Sequence, residues 1–144
     1  MSTEENKTRQ RRVFEEVFNK GNLAIIPELI APDYVYRSPL GMEAKGPEGF
    51  KQMVTRVRTA FPDIHFTIED IIAESDKVVT RFTRRSTHTG EFMGIAPTGK
   101  KVTLSGILIT RWVGGKEVEA WESLDTLAMF QQLGVVPPMG PGGG

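Results

Sequence analysis

The chain has 144 residues, with 18 lysines and arginines against 18 aspartates and glutamates, two histidines and no cysteine. Balanced charge excludes the strongly basic surface of a nucleic-acid binder, and the lack of cysteine excludes disulfides, thiolate chemistry and cysteine zinc sites. The length suits a single domain, expected over residues 1–136, that buries about two thirds of its unfolded surface.

The first residues, MSTEENKTRQ, are polar and unlike a signal peptide, and no apolar stretch approaches the ~20 residues of a membrane span, so a cytoplasmic protein that does not engage membranes is expected. Val13, Phe14, Val17 and Phe18 fall at helical spacing before Gly21, which predicts an amphipathic helix over residues 5–20. Glu15 and Glu16 dilute the basic cluster Arg9, Arg11 and Arg12, which therefore reads as a solvated helix face. A second helix is expected from Leu23 to Ile30, ended by Ala31-Pro32-Asp33 because a proline pushes its predecessor out of the helical region. Tyr34, Val35 and Tyr36 then read as a brief strand, and LGMEAKGP as a turn-rich link. Pro47 suits the first turn of a third helix that ends near Ala60, with Phe50, Met53, Val54 and Val57 on its apolar face.

After Phe61-Pro62-Asp63 the period changes. HFTIEDIIAE, KVVTRFTRRSTHTGEF, KVTLSGILITRWV and KEVEAWESLD are rich in Val, Ile, Thr, Phe and Trp and predict four long strands. They are joined by Glu74-Ser75-Asp76-Lys77, by MGIAPTGKK and by Gly114-Gly115, the last a strong hairpin signal. Thr126 to Leu133 predicts a short C-terminal helix, and the tail PPMGPGGG, residues 137–144, is expected to be disordered. Helices followed by a paired run of strands indicate an α+β domain, with the helices packed on one face of a curved, mainly antiparallel sheet.

Asp125 interrupts an otherwise apolar stretch and has two readings. It stands where a helix N-cap would accept a backbone N–H. Alternation along the last strand also groups Glu117, Glu119, Trp121, Ser123 and Asp125 on one face, opposite Val118, Ala120, Glu122 and Leu124. If the Trp121 face lines a hollow, Asp125 is a desolvated carboxyl fit to take and return a proton. His88 and Phe92 either end a strand or reach the mouth of that hollow. His65 and His88 lack metal-ligand spacing, so no metal is expected. Arg81, Arg84, Arg85 and Arg111 are expected to be solvated or paired with Glu117, Glu119 and Glu122 across the sheet.

The helical start, G-P-E-G-F at 46–50, A-F-P-D at 60–63, H-T-G-E-F-M-G at 88–94, P-T-G-K at 97–100 and W-E-S-L-D-T-L with Q-Q-L-G at the end resemble the SnoaL-like polyketide cyclases, or ester cyclases, over residues 8 to 136. These belong to the superfamily named after nuclear transport factor two. The resemblance implies a cone-shaped α+β barrel, a homodimer formed through the outer sheet face, and an enzyme without cofactor. It implies an intramolecular aldol condensation on a hydrophobic polyketide ester, with the aspartate of the W-x-x-x-D stretch, Asp125 here, as general acid/base. Trp121, Phe92, Phe18, Met53 and Tyr36 are nominated to hold the flat substrate, with His88 and Arg111 as polar neighbours. Arg37 departs from the family, whose members often carry a histidine there. Two alternatives stand beside the cyclase: a non-catalytic binder of a hydrophobic small molecule, and an epoxide hydrolase-like enzyme, for which only Asp125 and Arg111 are candidates.

Overall fold

The structure, a computed structural model, describes residues 2–38, 41 and 43–137. From residue 138 onward the tail expected to be disordered lies outside the described residues.

Ser2 opens α1 (Thr3–Arg12) with a capping box, its hydroxyl accepting the Glu5 N–H at 3.1 Å while the Glu5 carboxylate reaches back. The helix runs on through Val13–Phe18, where it winds as a π-helix and buries Val13, Phe14 and Val17. A 3-10 turn, Leu23–Ile25, leads into α2 (Ile26–Leu29), which is shorter than expected because the chain is already extended at Ile30. Pro32 therefore lies inside β1 (Ile30–Arg37) instead of ending a helix. It is tolerated there because the pairing of β1 shifts register between Ile30 and Val35, where no regular ladder asks for its missing N–H. The supposed link contains a three-residue edge strand, β2 (Glu43–Lys45), too short to show alternation in the sequence. Pro47 sits in the first turn of α3 (Gly46–Ala60), whose buried face carries Phe50 and Val54.

The expected meander forms from β3 (His65–Glu74), β4 (Lys77–Thr87), β5 (Lys101–Val113) and β6 (Lys116–Leu124), but β4 stops at Thr87, five residues short of the expected end at Phe92, and His88 to Phe92 belong to the loop that follows. Gly114 and Gly115, at φ 58° and 83°, make the two-residue turn between β5 and β6, a conformation that side-chain-bearing residues resist. The strand order is β2-β1-β6-β5-β4-β3, and the β1–β6 pair is parallel. The sheet curves but does not close, so the expected barrel is an open, mainly antiparallel sheet of six strands.

Alternate residues of β4 and β5 are buried on the face that meets α1 and α3, among them Val78, Phe82, Arg84, Leu104, Leu108 and Trp112. The Phe14, Phe66 and Phe82 rings meet at centroid distances of 5.3–5.6 Å. Gly106 in β5 leaves room for Phe82, since a Cβ there would collide with the ring. The last helix, α4 (Thr126–Leu133), is held to β5 by Gln132, whose side chain accepts from Thr103 N at 2.7 Å and donates to Thr103 O at 2.9 Å. No helix among the described residues is long and apolar enough to cross a membrane.

Candidate active site

The concave face of the sheet and the helices line a cavity that is open to solvent at its mouth. Its wall is mostly apolar. Polar exceptions are Tyr34, Tyr36, Ser38, Arg84, Glu117 and Glu122.

Two of these come from an irregularity in β6. Arg111 pairs with Glu119 but the next residue, Trp112, pairs with Glu117, so Val118 is an extra residue in the strand. Beyond the bulge, Ala120, Glu122 and Leu124 face the cavity; before it, the phase reverses and Glu117 faces the cavity as well. Strict alternation had grouped Glu117 with Trp121 and turned the Trp121 side inward. Trp121 instead lies half-buried on the outer face, opposite Ile109.

The nominated residues divide accordingly. Phe18, Tyr36, Met53 and Phe92 line the cavity. Arg111 is on the outer face, paired with Glu119 at 2.7 Å, and Arg37 reaches the same carboxylate at 3.1 Å. His88 is fully buried, but behind the wall: its ring packs on Phe61 at 5.4 Å, and its Nδ1 accepts the Thr98 N–H at 3.2 Å. It therefore fastens the loop between β4 and β5, which carries Phe92 to the cavity. Asp125 is exposed, caps α4 and accepts the Ala128 N–H at 3.1 Å; its side chain is not part of the cavity wall.

The carboxyl that does enter the cavity nearby is Glu122. Tyr36 donates its hydroxyl to Glu122 Oε1 at 2.6 Å. Burial raises the Glu122 pKa above the ordinary carboxylate range, while the Tyr36 hydrogen bond and the charge of Arg84 pull it back. Burial and the facing carboxylate raise the Tyr36 pKa, so its phenol stays protonated and donating. Arg84 is only 7% exposed, its guanidinium 5.1 Å from the Phe61 ring centre and 5.9 Å from that of Phe66. Burial lowers its pKa, Glu122 opposes that, and an arginine keeps its charge. Further along β6, burial pushes the Glu117 carboxyl up to about 8, with the Tyr34 hydroxyl opposing.

Arg84, Glu117 and Glu122 were expected to be solvated or paired across the sheet and Tyr34 only to belong to a strand; Arg84 and Glu117 are instead buried, with the Arg84 guanidinium over two phenylalanine rings, and all four line the cavity. A signal for Glu122 was present: the face Val118, Ala120 and Leu124 is apolar apart from that one carboxyl. No group of three or more histidine and carboxylate side chains that could hold a metal occurs among the described residues. What the site can do is move a proton and hold a developing negative charge, with one carboxyl for the first task and a phenol and guanidinium for the second.

The model of the SnoaL-like polyketide cyclase family matches residues 8–133. An aklanonic acid methyl ester cyclase, AcmA of Streptomyces galilaeus, is 29% identical over 122 residues, covering 83% of this chain and 84% of that protein. Among solved structures, IdmH of Streptomyces antibioticus, a proposed polyketide cyclase, superposes with a TM-score of 0.76 at 33% identity, over 90% of this chain and 98% of that one. AclR of Streptomyces galilaeus, a proposed hydroxylase, superposes with a TM-score of 0.83 at 31% identity, over 97% and 87% of the two chains.

Proposed function

The chain belongs to the SnoaL-like polyketide cyclase family, and from that premise we propose that it closes a ring in a hydrophobic, polyketide-like ester by intramolecular aldol condensation, without a cofactor, using Glu122 to take and return the proton. The observation that carries this reading is the Glu122 carboxyl in an apolar cavity, hydrogen-bonded to Tyr36 at 2.6 Å and close enough to Arg84 to feel its charge.

The ionised Glu122 removes a proton from carbon beside a carbonyl, and the C–H electron pair becomes an enolate. Its carbon attacks a second carbonyl of the same molecule, forming the C–C bond, and the resulting alkoxide takes the proton back from Glu122. Substrate and product are isomers. Arg84 and the Tyr36 hydroxyl favour the anionic stages, and the surrounding phenylalanines keep water from them. Asp125, the carboxyl favoured by the family pattern, is assigned to capping α4.

Turnover of polyketide methyl esters by the wild type, Glu122→Gln and Asp125→Asn tests the assignment. Loss in Glu122→Gln with activity kept in Asp125→Asn is expected; the reverse pattern returns the acid/base role to Asp125. Ligand binding without product in the wild type would favour the binding module, and a product heavier by one water the hydrolase. A homodimer through the outer sheet face, where Ile72, Ile107 and Val113 are 64%, 45% and 54% exposed, belongs to the same reading and is checked by sedimentation equilibrium.

A further inference from the structure

We propose that Glu117 and Tyr34 form a second polar subsite of the cavity, apart from Glu122, Tyr36 and Arg84, that binds an oxygen on the ligand's ring system away from the reacting carbon. The proposal rests on the cavity being the ligand site.

Glu117 is 1% exposed, lines the cavity, and its Oε1 has no hydrogen-bond partner among the described residues. A buried carboxyl oxygen without a partner is costly, and an apolar residue at this position would avoid the cost. The bulge at Val118 is what turns Glu117 inward; without it the side chain would stand on the outer face with Glu119. Both the bulge and the carboxyl are thus spent on presenting one polar atom to the cavity. As a neutral acid, Glu117 donates to a ketone or quinone oxygen, with the Tyr34 hydroxyl beside it. Five positions separate it from Glu122, on the order of 13–17 Å along an extended strand. That span suits several fused rings bearing oxygens on different edges, not a single ring.

The test is equilibrium binding of two probes with one ring frame, anthraquinone and anthracene, to the wild type, Glu117→Leu and Glu117→Gln. The wild type is expected to prefer anthraquinone. Glu117→Leu should lose roughly tenfold of that preference, the usual worth of one hydrogen bond, keep its anthracene affinity, and melt at a higher temperature. Glu117→Gln, whose amide still donates, should keep the preference. A wild type that binds anthraquinone no better than anthracene overturns the subsite, as does a Glu117→Leu variant with the preference intact.

Should Glu117→Leu fail to fold, pH decides. The wild-type preference should fade above about pH 8 and that of Glu117→Gln should persist; parallel profiles overturn the proposal. Tyr34 and Tyr36 on β1, Arg84 on β4 and Glu122 on β6 are the other titratable groups around the cavity, present in both proteins, and the π-helical stretch Val13–Phe18 and α3 present only apolar residues there. Because binding is read without turnover, failure here leaves Glu122 as the proton carrier, and an active Glu122→Gln enzyme leaves this subsite standing.

Discussion

Tyr36 and Glu122 are 86 residues apart in the chain, yet the phenol donates to the carboxylate at 2.6 Å. The parallel pairing of β1 with β6 sets Tyr36 opposite Ala120, and Glu122 follows two residues later on the same face. The contact is therefore fixed by sheet register, and the pair cannot be placed without both strands.

Replacing Tyr36 by Phe removes a hydrogen bond made to the charged form of Glu122. The Glu122 pKa, already raised by burial, should climb further, so that less of the base form is present at neutral pH. Turnover in Tyr36→Phe should fall about tenfold, with the acid limb of the pH–rate profile moved to higher pH. An unmoved limb would separate Tyr36 from the proton carrier.

Asp125 and its N-cap bond to Ala128 predict a split between two substitutions. Asparagine caps as well as aspartate, so Asp125→Asn should keep both stability and turnover. Alanine cannot cap, and Asp125→Ala should lose about 1 kcal/mol, with a secondary effect on ligand binding because α4 carries Met129 to the cavity. Urea denaturation and ligand titration of the two variants check this.

Glu117 predicts a dependence of stability on pH. Its pKa is about 8 in the folded protein and roughly 4.3 in an unfolded chain, so between these values the folded state holds one more proton. Stability from this group is complete below the unfolded value and is lost as pH rises to about 8, at a slope of at most roughly 1.4 kcal/mol per unit. Urea midpoints between pH 5 and 8 should fall in the wild type and flatten in Glu117→Gln. A wild type without excess slope over the variant would place the Glu117 carboxyl in water.

Gly106→Ala sets a methyl against the Phe82 ring, which is fully buried between Phe14 and Phe66. Overpacking of this kind should cost roughly 1–3 kcal/mol in chemical denaturation. An unchanged midpoint would mean that the ring has room to retreat.

Most of the architecture could be read from the chain because its signals are local. The Gly114-Gly115 turn, Pro47 at a helix start and the change of period after Phe61 each act within a few residues. The wall of the cavity was less legible. Phe18, Met53 and Tyr36 are large apolar or aromatic residues on elements whose inner faces were recognisable, and Phe92 is an aromatic residue on the loop after β4. Trp121 misled, since an indole in a strand suggests an interior position and this one lies on the outer face, while Trp112 is the buried one. Glu117 was beyond reach for a physical reason: a bulge is a property of pairing between β5 and β6, and neither strand alone reveals it.

The extra residue at Val118 also makes β6 adjustable. Deleting it would swing Glu117 and Lys116 through half a turn about the strand axis and leave Ala120, Glu122 and Leu124 where they are. A one-codon deletion just after the Gly114-Gly115 hairpin would thus exchange which side chain faces one end of the cavity, while Glu122 at the other end kept its partners.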